Sequence, residues 1–255
     1  MARIHTERIG DKAYNNDGCL MKLIQYDSAN DIVVEFQDDF KAVVHTSYEM
    51  FLIGKVKNPY HPCVYGVGII GDKYPSRIGK TPLKEYCAWT RMLYRCYQRN
   101  DVAYRDVICC NDFLMYEKFY DWIHSQENFD KWKCNDRFAI DKDILNKGNK
   151  IYSSDGCCLV PQIVNDLFIK QRGRRGELPI GVYKNHNAFY AMCNNPIAHK
   201  RVFLGQYNTP EQAFISYKKY KESLIKEVAN IEYAKSNITK ICHNAMMNYE
   251  VEITD

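Results

Sequence analysis

Turn-forming residues interrupt roughly the first 75 positions so often that no regular element there can be long. Short apolar runs at residues 19–26, 32–36, 41–46 and 48–53 are separated by Ser28-Ala29-Asn30-Asp31 and by Gln37-Asp38-Asp39. Gly54 and then Asn58-Pro59-Tyr60 bring the series to a stop. Strands this short bury an apolar face only by curling onto one another. The pattern predicts a small β-barrel or curled sheet over residues 1–78.

The rhythm of these runs resembles that of the Src-homology-three-like barrels found on bacteriophage proteins. Beyond it the period changes. Leu83, Tyr86, Cys87, Trp89, Thr90, Leu93, Tyr94 and Tyr97 recur at three- and four-residue steps, which places them on one face of a helix over residues 82–99. A second helix is predicted over residues 113–124. Trp89, Trp122 and Trp132 read as core, while Arg91, Arg95 and Arg99 add a cationic stripe. Residues 138–164 read as a short strand, a loop closed by Gly148-Asn149, a second strand around residues 157–160 and a helix begun near Pro161. That is a ββα unit within a domain over residues 82–169.

The stretch KQRGRRG at residues 170–176 is polar, cationic and glycine-containing, and predicts a basic linker over residues 170–178. The last domain, residues 179–255, shows strands at 180–183, 188–193 and 200–204 and a helix over 211–228. Thr209 is its N-cap and Pro210 its first residue. A further short helix is predicted over 238–249. The fold class is therefore α+β: an N-terminal small β-barrel, a central helical region with a ββα unit, and a C-terminal three-stranded antiparallel sheet packed on one helix.

A net charge of +4 identifies no partner, but it is unevenly spread. Residues 170–226 hold eleven Lys and Arg against Glu177, Glu211 and Glu222, a local charge of +8 that leaves −4 for the rest. One region is built to meet an anion. The eleven cysteines are odd in number and lack Cys-x-x-Cys spacing. Adjacent pairs such as Cys109-Cys110 and Cys157-Cys158 make a poor disulfide framework, so reduced thiols and a cytoplasmic setting are expected. The start carries Arg3, His5, Glu7 and Arg8 without an apolar run, and no stretch nears about 18 continuous apolar residues. Neither a signal peptide nor a membrane span is expected. The seven histidines show no metal-ligand spacing and are assigned structural or surface roles.

Residues 181–220 carry several independent features together: Gly181-Val182, Phe189-Tyr190-Ala191, Arg201-Val202-Phe203-Leu204-Gly205, and a following helix with Ala213 and Tyr217. This stretch resembles the plant ethylene-response (Apetala-two) DNA-binding domain and its bacteriophage relatives. The resemblance implies that the sheet, not the helix, lies in the major groove of double-stranded DNA, with Tyr183, Asn185, Phe189, Arg201 and Phe203 as contact residues. Tyr183 and Asn185 stand where the plant domains have arginines, and Phe189 and Phe203 where they have tryptophans, so base preference does not transfer. Arg172, Arg174 and Arg175 form an arm suited to phosphate contact or to an adjacent minor groove.

Ile140-Asp141-Lys142-Asp143, Gly148-Asn149, residues 152–157 and residues 160–165 are similar to an HNH homing endonuclease of the phage type. Such a site implies a metal ligand on the first strand, a histidine base beside it, an orienting asparagine in the loop and a further ligand from the helix, around Mg²⁺ or another divalent cation. Asp141 fits the first ligand and Asn165 the helical one. The base falls on Lys142 and the loop asparagine on Gly156. A lysine with an ordinary pKa near 10.4 is a poor base at neutral pH, and flanking Asp141 and Asp143 would keep it protonated. Asn149, Asp143 and Asp155 are further candidate oxygen ligands. The expected function is double-stranded DNA binding by a phage or mobile-element protein of HNH descent whose nuclease chemistry is lost, set in the cytoplasm of an infected bacterial cell. Two alternatives are a metal-dependent endonuclease with a variant site built on Asp141, Lys142 and Asn165, and a counter-defence protein acting through its N-terminal barrel.

Overall fold

The computed structural model describes residues 5–99, 104–135, 137–169 and 177–255. The chain divides into two compact units, residues 1–121 and 122–255.

The first unit opens with an antiparallel meander of β1 (Lys12–Tyr14), β2 (Leu20–Ser28), β3 (Asp31–Phe36) and β4 (Val43–Thr46). The side chains it contributes to the core of this unit are Met21, Leu23, Tyr26, Ile32, Val34 and Phe36. A bulge between Leu23 and Gln25 shifts the alternation, which is why Tyr26 turns inward although it lies an odd step from Leu23. The run at residues 48–53 is not a strand. Ser47 caps it, its hydroxyl accepting from the backbone N–H of Met50 at 3.2 Å, and helix α1 (Tyr48–Leu52) results, with Phe51 driven into the core.

The barrel expected over residues 1–78 is, among the described residues, a curled meander whose linear order leaves β1 and β4 unjoined. The chain after α1 nevertheless returns to the β1 end, where Asn16 N–H donates to Gly54 O at 2.8 Å and Asn15 Nδ2 to Val56 O at 3.0 Å. Gly54 has φ +69°, and a Cβ there would meet Tyr14 O at 3.0 Å, so both conformation and space require glycine.

A short hairpin of β5 (Arg77–Ile78) and β6 (Thr81–Pro82) leads into α2 (Lys84–Tyr97), which buries Trp89 and Leu93 of the expected face together with Met92, while Tyr94 is exposed. The chain continues through β7 (Ile108–Cys109), α3 (Asn111–Leu114) and α4 (Tyr116–His124). The single helix expected over 113–124 is broken at Met115, which is extended and bridges Ile69. Ile69 N–H donates to Leu114 O at 2.9 Å and Tyr116 N–H to Ile69 O at 2.8 Å, which a continuous helix would not permit.

In the second unit, α5 (Phe129–Cys134), β8 (Phe138–Asp141), β9 (Ile151–Tyr152) and β10 (Cys158–Pro161) precede α6 (Gln162–Asn165). Strands β8 and β10 are antiparallel, from Phe138 opposite Pro161 to Asp141 opposite Cys158. Pro161 belongs to the ladder, so the helix begins one residue later and lasts a single turn before a 3₁₀ turn, Asp166–Phe168.

The sheet β11 (Val182–Asn185), β12 (Ala188–Asn195) and β13 (Lys200–Tyr207) is an antiparallel meander, followed by α7 (Pro210–Ala234) and α8 (Lys240–Met247). Thr209 caps α7 through Gln212 N–H at 3.3 Å, with Pro210 first in the helix. One core joins Val160, Val164 and Leu167 to Val182, Ala191 and Cys193 and to Leu224, Val228 and Cys242. The hairpin and the sheet, read from sequence as lying on either side of a linker, thus share their apolar interior. No helix among the described residues is long and apolar enough to cross a membrane.

Candidate nucleic-acid interface

Period-2 alternation sorts the sheet into two faces. Val182, Ala191 and Cys193 are buried in the core with Ala213, Tyr217 and Leu224 of α7. Their neighbours Tyr183, Tyr190, Met192, Asn194, Arg201 and Phe203 fall on the other side, Tyr183 opposite Tyr190, Met192 opposite Phe203 and Asn194 opposite Arg201. A register shift at Ala191/Met192 leaves Leu204 as the extra residue of β13. Through that bulge Leu204 and Tyr207 pack against the core while Phe203 stays outside. Gly205 sits there at φ +137°, and a Cβ would approach the Tyr207 hydroxyl to 2.7 Å.

The outer face is open. Phe203 is 57% exposed and Tyr183 43%, both high for aromatic side chains on a sheet. The Arg201 guanidinium lies 4.2 Å from the centre of the Tyr183 ring, and the Tyr190 and Phe203 rings are 6.0 Å apart. Among the described residues no carboxylate pairs with this cation, so its hydrogen-bond donors can meet an external acceptor. Aromatic rings, an amide and a guanidinium on one face suit apolar groove contact, base-edge hydrogen bonding and phosphate contact.

Of the five sheet residues predicted as contacts, Tyr183, Asn185, Arg201 and Phe203 are exposed, the first, third and fourth on this face and Asn185 at the hairpin end of β11. Phe189 is on the opposite face, packed against the core with the Lys184 ammonium 5.7 Å from its ring. Arg172, Arg174 and Arg175 lie outside the described residues. The sequence reading missed Tyr190 and Asn194, which strict alternation from Ala191 would have assigned to the open face.

The hairpin residues have different surroundings. Asp141 is buried, and its Oδ1 accepts from the backbone N–H groups of Asp143 at 2.7 Å and Ile144 at 2.8 Å. Burial raises its carboxyl pKa above the usual range, although these two donors pull it back. Lys142 is also buried, and its Nζ donates to Asp143 Oδ1 and to Asn149 O, both at 2.6 Å. The Asn149 amide returns a hydrogen bond to Lys142 O at 3.0 Å and brackets Ile151 through both its backbone groups. A Cβ on Gly156 would meet Asn149 Nδ2 and Ser153 Oγ, each at 2.9 Å, so an asparagine there would require the Asn149 amide and the Ser153 hydroxyl to shift. Asp155 is held below the usual carboxylate range chiefly by the Ser153 hydroxyl. Asn165 is the partly buried last residue of α6.

Asp141, Lys142 and Asn149 therefore brace one loop. A hard divalent cation wants several free oxygen ligands, whereas Asp141 Oδ1 is already doubly hydrogen-bonded and an ammonium occupies the adjacent position. The set does not fit such an ion, and no group of three or more His, Cys, Asp or Glu suited to a metal occurs among the described residues. No protein-family model matches the chain, and no curated protein or solved structure is significantly similar to it.

Proposed function

We propose that this chain binds double-stranded DNA through the open face of β11–β13, and that β8, β10 and α6 are an HNH-like ββα unit retained for its fold while its hydrolytic chemistry is lost. The observation that carries the reading is an uncovered sheet face bearing Tyr183, Arg201 and Phe203, backed by a helix and set in the segment that concentrates positive charge. The hydrogen bonds of Asp141 and Lys142 favour a bracing role over a nucleolytic one. Descent from a phage or mobile-element homing endonuclease accounts for both parts.

The test is a titration of labelled random-sequence duplex with the full chain, with and without Mg²⁺, at two salt concentrations, scoring retention and strand breaks together. Salt-sensitive binding without breaks is the expected result, because each neutralised phosphate releases condensed counterions. Metal-dependent nicking would restore a nuclease. No binding at either salt would move the function to a protein contact of the N-terminal unit.

A further inference from the structure

Lys221 is the one buried charged residue of the second unit for which the described residues supply no counter-group. Asp141, Lys142, Glu232 and Asp255 are buried too, yet each has a hydrogen bond or ion pair: Glu232 with Lys235 and Asn237, Asp255 with Lys147. Lys221 is 8% exposed, projects from α7, and makes no hydrogen bond or ion pair among the described residues. Its neighbour Cys193 does not neutralise it, because burial pushes that thiol up and keeps it protonated. An ammonium kept in such a place is costly unless a partner arrives from outside.

The surroundings show where a partner would enter. Lys221 lines a cleft of about 760 Å³ whose lining also includes His199, Lys200, Arg201, Asp166 and Ile169. Asp166 is the only acid among the described residues of the wall, and its Oδ1 is engaged by Gln162 Nε2 at 2.7 Å. Tyr183 and Arg201 belong both to the cleft and to the open sheet face, so the two are continuous.

We propose that this cleft is an oxyanion site in which Lys221, with Lys200 and Arg201 at its mouth, receives a phosphate group. The source is a phosphate of the DNA backbone lying on the sheet or a free phosphate ion; only the first of these rests on the DNA-binding reading. Burial also lowers the Lys221 pKa, and an arriving oxyanion would draw the proton back.

The experiment compares the full chain with Lys221→Met, which keeps the packed stem and removes the charge. Thermal unfolding is followed across a titration of inorganic phosphate against chloride at matched ionic strength, and duplex affinity across a salt series. Phosphate is expected to raise the wild-type melting temperature and leave the variant unmoved. The variant's duplex affinity should fall about three- to tenfold, and its log–log salt slope should lose about 0.9, the value for one phosphate contact. A phosphate shift lost in the variant with duplex binding unchanged would support the site with free phosphate as its source. A Lys221-dependent phosphate shift in a chain that binds no duplex would likewise support the cleft while sinking the sheet reading. Equal phosphate shifts in both proteins together with an unchanged salt slope would overturn the proposal. So would a variant that binds both probes as the wild type does.

Discussion

At the scale of single residues, Asp141 separates bracing from catalysis. Its acceptor oxygen holds two backbone N–H groups, and an asparagine can hold the same two. Asp141→Asn should therefore unfold within a few degrees of wild type and bind duplex unchanged. Asp141→Ala strands both donors in a buried place and should cost about 1–3 kcal/mol, read by chemical denaturation. A loss as large for asparagine as for alanine would contradict the bracing role. Lys221 gives a prediction in pH. Its folded pKa is lowered by burial from an ordinary 10.5, so below that lowered value both folded and unfolded chains carry the proton and the burial cost stands in full. As pH rises through the folded pKa toward 10.5 the folded chain releases the proton first, and stability rises. Lys221→Met should be more stable than wild type at neutral pH and should lack that alkaline rise in a melting profile.

At the scale of elements, the sheet predicts opposite outcomes for two phenylalanines that the sequence placed together. Phe203→Ala, on the open face, should leave the melting temperature nearly unchanged while weakening duplex binding by about 1 kcal/mol or more, the scale at which truncating an interface aromatic registers, through loss of an apolar contact to base edges in the groove. Phe189→Ala, packed on the core side, should cost about 1–3 kcal/mol of stability, less than a fully buried phenylalanine, and spare the affinity of the folded fraction. Gly181 opens β11 at φ +77°, and a Cβ there would come within 2.0 Å of the Tyr217 ring. Gly181→Ala should therefore lose more than about 2 kcal/mol, combining strain with overpacking, as urea unfolding would show. Much of this was legible beforehand. Thr209-Pro210 fixed the start of α7, and turn residues around 186 and 196–199 separated the strands. What escaped were the Ile69 bridge, a distant backbone contact that breaks the helix at Met115, and two features that residue types leave open, the Ser47 cap competing with a strand at 48–53 and the bulge at Leu204. Residue types alone also show Lys142 as a misplaced base; only its two hydrogen bonds show it as a clamp.

At the scale of the whole molecule, the chain carries two compact units, and the apolar interior of residues 122–255 contains no residue of the N-terminal meander's core. The 25-residue helix α7 has a further mechanical consequence. Its first turns support the sheet through Ala213, Phe214 and Tyr217, and its last turns meet α8 and, through the Glu232–Asn237 and Asn128–Asn237 hydrogen bonds, the α5 and β10 side of the hairpin. At a rise of about 1.5 Å per residue such a rod is several nanometres long and stiff. On the proposed reading, a duplex on the sheet would be held at a set angle and distance from the Asp141 loop by a strut rather than by a tether, and lengthening the chain between Ile169 and Glu177 by several residues should leave the footprint on DNA where it was.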